Sequence, residues 1–242
     1  MKHTLFLLFA SLMLLIPAVS TDAKVYLVSV GITDYPGNDM DLTLPANDAK
    51  TIANLYAKNS KVQYSLLVNS QATKARIIKA MKKVFGNAGP NDIVVLFFSG
   101  HGYPGGFVAY DGEMDYSVVR EGMAGSKCKN KMIFADACFS GKIRTGGNHA
   151  SSVASAKKAN VLLFLSSRSN ETSIERRDMA NGFFTTYLSK GLRGRADVNR
   201  DRTITAKELF DYVHKGVTKI SGNKQHPVMW GKFSNNMPVM VW

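Results

Sequence analysis

Short apolar segments alternate with helix-like segments along most of this 242-residue chain, and this alternation limits the folds open to it. Buried strands are predicted for five apolar runs, with a sixth candidate at the end: residues 25–31, 64–68, 92–98, 131–135, 161–165 and 239–241. Helices are predicted for residues 47–57, 72–85, 182–190 and 205–219. Because strands without polar positions need cover on both faces, the pattern predicts an α/β protein with a mostly parallel sheet.

The composition is that of a globular protein, with 45% hydrophobic and 20% charged residues. These values argue against a disordered chain, collagen and a coiled coil. Two cysteines exclude a disulfide scaffold and a Cys-rich zinc module. Residues 139–158 are polar, contain several Gly and Ser and show no apolar period, so we interpret them as a mobile loop inside one domain.

The chain is strongly basic, because 31 Lys and Arg stand against 18 Asp and Glu and give a net charge of +13. An excess of this size usually suggests a polyanionic partner. The basic residues of the helix predicted at 72–85 lie on its polar side, with no aromatic side chains between them to stack on bases. We therefore expect a solvated helix face and no nucleic-acid partner.

Residues 1–20 have the layout of a secretory signal peptide. Lys2 precedes an apolar run at residues 5–19, and Ala18 and Ser20 supply small residues at alternate positions. The run is shorter than the roughly 20 residues that span a bilayer as a helix. We expect cleavage and a secreted or periplasmic mature protein, with an uncleaved anchor as the alternative.

An imidazole and a thiol follow two of the predicted strands. His101 comes after the third strand, between Gly100 and Gly102, and Cys138 comes after the fourth. In a parallel sheet ligands bind beyond the carboxyl ends of the strands, so neighbouring strands would bring the two side chains into one crevice. Each residue alone is more often structural, but the thiolate and the imidazole together predict nucleophilic catalysis. The glycines allow close approach of a substrate and leave N–H groups for an oxyanion.

Two motifs around these residues resemble the caspase-like cysteine peptidases, and most closely their bacterial metacaspase-type (orthocaspase-like) members. They are FFSGHG at residues 97–102 and FADACFSGK at residues 134–142. The resemblance covers roughly residues 24–235. It implies a caspase–haemoglobinase fold, with a six-stranded, mostly parallel sheet sandwiched by helices.

The resemblance also implies roles for particular residues. His101 and Cys138 form the catalytic dyad, and the backbone N–H groups of Gly102 and Cys138 form the oxyanion hole. Residues 24–242 form a single caspase-like domain: a large-subunit-like part at 24–138, the mobile loop at 139–159 and a small-subunit-like part at 160–242.

Acidic residues favour a substrate with Arg or Lys at P1, the residue before the cleaved bond. Residues 32–48 and 103–119 follow the first and third strands and contain acids but no Lys or Arg. In metacaspases a basic P1 side chain is held by two Asp and one Ser, and the matching residues here are Asp48, Ser99 and Asp136. Pro45 departs from the pattern, since metacaspases usually have Cys there. Acids that merely solvate the loops, and an Asp136 that only anchors its loop, are the alternatives.

The segment from Asp197 to Glu208 resembles an EF-hand loop. Its ligand positions are filled by Asp197, Asn199, Asp201, Thr203 and Glu208. Position 6, usually Gly, is Arg202, so a turn with an N-cap at Thr203 or Thr205 is the alternative. We expect that no cofactor is required, and calcium is the candidate ligand of this segment.

Cys128 is not expected to pair with Cys138. The five strand residues between them span roughly 16 Å, whereas a disulfide tolerates Cα atoms no more than about 7 Å apart. We therefore expect a free thiol at Cys138 and a structural or surface role for Cys128.

Together these observations predict a secreted cysteine endopeptidase that cleaves peptide or protein substrates after Arg or Lys. Such an enzyme could process itself at four basic residues in or near the mobile loop: Lys142, Arg144, Lys157 and Lys158. Three alternatives remain open from the residues. They are a legumain-like peptidase with a different P1 preference, an inactive binding protein on a caspase-like scaffold, and a basic protein that binds an anionic surface.

Overall fold

A computed structural model describes residues 23–59, 61–103, 105–137, 161–167 and 178–241. The predicted signal peptide, Cys138 and the predicted mobile loop with its four candidate processing residues lie outside the described residues. Within the described ranges, no helix has the length and apolar character needed to cross a bilayer.

The helices and strands are numbered here in chain order. They are β1 (Val25–Gly31), α1 (Pro45–Asn59), β2 (Val62–Val68), α2 (Lys74–Phe85), β3 (Ile93–Gly100), β4 (Gly102–Tyr103), β5 (Gly106–Ala109), β6 (Gly112–Asp115), α3 (Tyr116–Ala124), β7 (Asn130–Ala137), β8 (Val161–Leu165), α4 (Phe183–Lys190), β9 (Thr203–Thr205), α5 (Ala206–Ile220), β10 (Val228–Gly231) and β11 (Pro238–Val241).

A six-stranded sheet forms the centre of the molecule, in the order β10-β8-β7-β3-β1-β2. Neighbouring strands are parallel except β10, which runs antiparallel to β8. Helices α2 and α3 cover one face, and α1, α4 and α5 cover the other. The predicted α/β architecture with a mostly parallel six-stranded sheet is confirmed, and its physical basis is the burial of β1 and β3 along their whole length.

The last strand differs from the prediction. Residues 239–241 do form part of a strand, β11, but it pairs with β9 in a separate two-stranded sheet. The sixth strand of the central sheet is β10, which the sequence did not reveal. As an edge strand it is half exposed, including Trp230, so it lacks the continuous apolar run that marks the inner strands.

The segment between β3 and β7 also contains elements that were not predicted. Strands β4, β5 and β6 form a small antiparallel sheet, and α3 follows it. Strands of two to four residues are too short to show an alternating pattern. This small sheet begins directly after His101, so it bears on the site.

The observed helix ends follow from capping chemistry. Helix α1 begins at Pro45, two residues earlier than predicted, because Pro suits the first helical position. Helix α2 begins after Thr73, whose side chain accepts the N–H of Arg76. Helix α5 begins after Thr205, which forms a capping box with Glu208.

Candidate active site

The carboxyl ends of β3 and β7 lie side by side. The two strands are adjacent and parallel, and their register pairs Gly100 with Ala137. The residues that follow these partners in the sequence are His101 and Cys138. The condition for a Cys–His pair, that the two strands be neighbours, is therefore met, although Cys138 itself lies outside the described residues.

The imidazole of His101 is oriented by a backbone carbonyl. Its Nε2 atom lies 2.7 Å from the carbonyl oxygen of Met40. Because a carbonyl only accepts hydrogen bonds, Nε2 carries the proton, and the lone pair of the neutral ring is on Nδ1. A general base needs such an acceptor nitrogen. Sequence reasoning did not find Met40, since a loop carbonyl leaves no residue-type signal.

The pairing of β4 with β5 determines the direction of the Gly102 N–H, which the resemblance predicts to be an oxyanion donor. The N–H of Val108 donates to the carbonyl of His101 at 2.9 Å, so these two residues form a hydrogen-bonded position of the β4–β5 ladder. Bonded and non-bonded pairs alternate in antiparallel strands. Gly102, opposite Phe107, is therefore at a non-bonded position, and its N–H points away from β5.

The three predicted P1-binding residues lie together beneath this edge of the sheet. Asp48, Ser99 and Asp136 are all buried, and the Ser99 hydroxyl donates to Asp48 Oδ2 at 2.9 Å. A methyl group placed on Gly182 would lie 2.7 Å from Asp136 Oδ2 and 3.6 Å from Asp48 Oδ2. The two carboxylates thus border the same piece of backbone, although they are 88 residues apart in the sequence.

Residues at the start of α4 hold both carboxylates, and sequence reasoning did not assign them this role. Asn181 Nδ2 and the Gly182 N–H donate to Asp48 Oδ1 at 2.7 and 3.2 Å. The backbone N–H and hydroxyl of Thr185 donate to Asp136 Oδ2 at 3.2 and 2.9 Å. A helix N-terminus stabilises nearby negative charge. Asp136 therefore does accept a backbone N–H, but the donor is Thr185 at the start of α4, whereas the alternative interpretation expected the loop of Asp136 itself.

The Asp48 carboxyl group holds its proton more tightly than an ordinary Asp does. Burial raises the pKa of Asp48 well above its ordinary value, and the charge of Asp136 raises it further. Hydrogen bonds from Asn181, Ser99 and Gly182 act in the opposite direction. Two close carboxylates hold a proton more readily than one, and a cation between them would favour loss of that proton. The pair is chemically suited to an ammonium or guanidinium group.

The exposed acids of the loops after β1 and β3 are hydrogen-bonded to other groups of the protein. Asp41 Oδ1 accepts the N–H of Tyr35, and Asp111 Oδ1 accepts the N–H of Lys74. Asp115 Oδ1 accepts the hydroxyl of Tyr103. These contacts give each of the three acids a structural role that neither the substrate-binding nor the solvation interpretation predicted. Asp48 and Asp136, in contrast, are buried and border one site.

The segment from Asp197 to Glu208 forms a turn, strand β9 and the capped start of α5. Arg202 adopts φ 66°, the conformation that an EF-hand usually assigns to Gly, and its N–H donates to Asp197 Oδ2. Glu208 accepts from the N–H groups of Val198 and Thr205. Asp197 Oδ1 is buried without a hydrogen-bond partner, and the described part of the chain has no cluster of three or more His, Cys, Asp or Glu that could hold a metal. Calcium binding stays a prediction.

Cys128 has the environment of a structural cysteine. It is buried, and its thiol donates to the carbonyl oxygen of Asp92 at 2.8 Å. Burial raises the pKa of this thiol to about 11, so the reactive thiolate is disfavoured at neutral pH. Cys128 is therefore not a competing nucleophile.

The family follows from this fold and site. Residues 25–237 match the model of the caspase domain, and the chain therefore belongs to the caspase domain family. A crystal structure of a protein from Geobacter sulfurreducens is similar, with a TM-score of 0.62 and 19% identity over 87% of this chain and 94% of that one. Caspase-1 from Spodoptera frugiperda is similar with a TM-score of 0.65 and 14% identity over 88% of each chain.

These identities are low, and the two structures support the caspase-like α/β fold alone. No curated protein matches the sequence significantly. Membership of the caspase domain family supports a cysteine peptidase acting on protein substrates. The metacaspase-type subgroup remains a prediction from the two motifs.

Proposed function

We propose that this protein is a secreted cysteine endopeptidase that cleaves peptide bonds after Arg or Lys, with His101 and Cys138 as its dyad. The observation that carries the proposal is the pairing of Gly100 with Ala137 at the ends of β3 and β7. That register sets the residues before the imidazole and before the thiol side by side. The caspase domain family supplies the reaction class.

The proposed mechanism uses the unprotonated Nδ1 atom of His101 as the general base. Nδ1 accepts the proton of the Cys138 thiol, and the thiolate attacks the carbonyl carbon of the substrate. The N–H groups of Gly102 and Cys138 bind the oxyanion that forms. The imidazolium then gives its proton to the leaving amine as the C–N bond breaks. Water, deprotonated by Nδ1, hydrolyses the thioester, releasing the acid and restoring the thiol.

Specificity for a basic P1 residue rests on the buried carboxyl pair. Asp48 and Asp136 offer two carboxylates to one cation, and Ser99 fixes the orientation of Asp48. A guanidinium matches carboxylate oxygens through two parallel hydrogen bonds, and an ammonium acts as a point charge. An Asp side chain at P1 would meet like charge there, which disfavours a caspase-type preference.

The decisive test is hydrolysis of fluorogenic peptides that end in Arg, Lys, Asp or Asn by the purified protein. We expect kcat/KM for Arg and Lys to exceed the values for Asp and Asn by at least about 100-fold, because a neutral or acidic P1 leaves buried charge unpaired. Cys138→Ala should abolish cleavage. Cys128→Ala is the matched control and should keep activity.

Three outcomes would contradict the proposal, and each points to a different alternative. Cleavage after Asn indicates a legumain-like peptidase. No cleavage, together with slow alkylation of Cys138 by iodoacetamide, indicates an inactive binding protein. Salt-dependent binding to anionic vesicles that survives Cys138→Ala, without cleavage, indicates a surface-binding protein. Export is tested separately: N-terminal sequencing of protein recovered outside the bacterial cytoplasm should begin near residue 21.

A further inference from the structure

We propose that Tyr35 is a positioning residue for the catalytic histidine. Its hydroxyl acts as a spacer between the His101 N–H and the carbonyl of Val108 on β5, and it keeps the imidazole on the carbonyl of Met40. The proposal rests on the proposed peptidase function, because it assigns to His101 the role of the base.

The hydroxyl of Tyr35 occupies the place of a strand hydrogen bond. It accepts the N–H of His101 at 2.9 Å and donates to the carbonyl of Val108 at 3.1 Å. In an ordinary bonded pair of antiparallel strands, the two residues exchange both N–H···O bonds directly. Here only the bond from Val108 N–H to His101 is direct, and the tyrosine completes the second through its hydroxyl.

This insertion separates the His101 N–H from the carbonyl of Val108, while the His101 carbonyl stays bonded to the Val108 N–H. Two hydrogen bonds of 2.9 and 3.1 Å now span a gap that one bond would otherwise close. His101 sits at the junction where β3 ends and β4 begins. The hydroxyl therefore sets the angle at which the chain leaves the central sheet, and with it the position of the imidazole.

Tyr35 also fixes the segment that carries the orienting carbonyl. Its backbone N–H donates to Asp41 Oδ1 at 3.0 Å, and Asp41 follows Met40 directly. The chain of contacts closes on itself, because Met40 bonds to the imidazole and the His101 backbone bonds to the tyrosine hydroxyl. One residue thus ties together the histidine and the carbonyl that selects its tautomer.

The residues around the Tyr35 hydroxyl leave space for it. The Tyr35 ring is buried and lies 5.0 Å from the imidazole, centroid to centroid. Gly100 has φ 154°, and a methyl group at this position would lie 2.7 Å from the tyrosine oxygen. Burial raises the pKa of Tyr35, so the hydroxyl stays protonated at neutral pH and can donate to Val108 while accepting from His101.

The first test is the kinetics of Tyr35→Phe, which keeps the ring and removes the hydroxyl. The N–H of His101 loses its partner or moves toward Val108, and either change displaces the imidazole. We expect kcat for an Arg substrate to fall by about 10- to 100-fold while KM changes by less than about 2-fold. Tyr56→Phe is the matched control. The buried hydroxyl of Tyr56 also donates to a carbonyl, that of Val239 at 3.1 Å, and it lies on the opposite face of the sheet. Its kinetics should stay at the wild-type values.

The second test reports on the imidazole without requiring activity. In the Cys138→Ala background, NMR of the His101 Nε2–H should show a resonance shifted downfield by the bond to Met40. Tyr35→Phe should move or abolish it, and Tyr56→Phe should not. Absence of peptidase activity in the wild-type protein would overturn the proposed function, while this resonance would still report whether Tyr35 positions the histidine.

Unchanged kcat together with an unchanged Nε2–H resonance in Tyr35→Phe would overturn the inference. If that variant does not fold, Asp41→Ala tests the same contacts from an exposed position. Loss of one hydrogen bond to the Tyr35 backbone should lower kcat by about 2- to 10-fold and broaden or shift the resonance. Wild-type values for both measurements in this variant would equally overturn it.

Discussion

Asp48 and Asp136 place two carboxylates in one buried site, which opposes folding when both are charged. The burial and repulsion raise the pKa of Asp48 in the folded protein above its unfolded value. The folded state then holds a proton that the unfolded state has lost. The contribution of Asp48 to stability is therefore fully present below the ordinary Asp value of 3.8 and is lost as pH rises through the raised value.

Asp48→Asn tests this cost. The amide has no charge to bury. We therefore expect the free energy of unfolding of the variant at neutral pH to exceed the wild-type value by about 0.5–2 kcal/mol. Urea denaturation at several pH values should show that the difference between the two proteins shrinks on acidification. The exposed Asp39→Asn is the control, with a change within about 0.5 kcal/mol. A lower free energy of unfolding for Asp48→Asn than for the wild type at neutral pH would contradict this prediction.

The same substitution should weaken recognition of a basic P1 residue. One negative charge is lost, and the remaining pairing of Asp136 with the substrate cation is incomplete. We expect kcat/KM for an Arg substrate to fall by about 10²- to 10³-fold, mainly through KM. Equal activity of Asp48→Asn and Asp39→Asn on Arg and Lys peptides would show that the pair is structural only.

At the scale of elements, the end of β7 is fastened by the segment after β8. The Ser166 hydroxyl lies 3.3 Å from both the N and the O of Ala137, the residue before Cys138 in the sequence. The buried Gln225 side chain donates to the carbonyl of Ser166 at 2.9 Å. These bonds connect the segment after α5 to the strand that leads to the proposed nucleophile.

Ser166→Ala should therefore affect the nucleophile more than substrate binding. The loss of one or two hydrogen bonds predicts a decrease of about 3- to 30-fold in kcat and in the alkylation rate of Cys138, with KM nearly constant. Ser126→Ala is a suitable control, because Ser126 is buried and its hydroxyl accepts the N–H of Cys128 at the other end of β7. An unaffected alkylation rate in Ser166→Ala would rule out this role.

The turn before α5 leads to a prediction about metal removal. The oxygens of Glu208 accept backbone N–H groups and complete the capping box, so its carboxylate has hydrogen-bond partners within the chain. The dyad chemistry itself needs no metal. We expect cleavage of an Arg peptide to change by less than about 2-fold between excess chelator and added calcium. Activity lost on chelation, restored by calcium and not restored in Asp197→Asn, would contradict this expectation.

At the scale of the whole molecule, the net charge of +13 and the charge of the proposed pocket have opposite signs. The basic residues on α2 include Lys79, Lys82 and Lys83, on a helix whose apolar side packs on the sheet. The acids that would meet substrate are buried between β3, β7, α1 and α4. In the proposed function, the substrate meets the local pair of acids and not the net charge.

Self-cleavage would leave the two parts of the chain associated. Strands β7 and β8 are neighbours in the sheet, and the start of α4 is hydrogen-bonded to Asp48 and Asp136. If the enzyme cuts after Lys142, Arg144, Lys157 or Lys158, a denaturing gel should show two fragments that coelute in native gel filtration. Cys138→Ala, and a variant with all four residues changed to Gln, should stay as one band. Fragments that separate under native conditions would contradict the prediction.

The strand-end residues were predictable because their signals are local. An apolar run followed by an imidazole identifies His101, and an apolar run followed by a thiol identifies Cys138 in the sequence. The capping residues Thr73 and Thr205 were within one residue of the predicted helix starts for the same reason. The partners Met40, Asn181 and Thr185 were not predictable in these roles, since each acts through a contact with a residue far away in the chain.

The sequence by itself determined the α/β class, the inner strands, the amphipathic helices and the identity of the candidate catalytic and P1-binding residues, because these depend on periodicity and on motifs within short windows. Only the tertiary structure decided that β10 completes the sheet, that the start of α4 holds both buried carboxyl groups, and that Tyr35 enters the β4–β5 ladder. The physical reason is distance along the chain. Apolar burial leaves a local pattern, whereas hydrogen bonds and charge coupling between distant segments exist only once the sheet has brought those segments together.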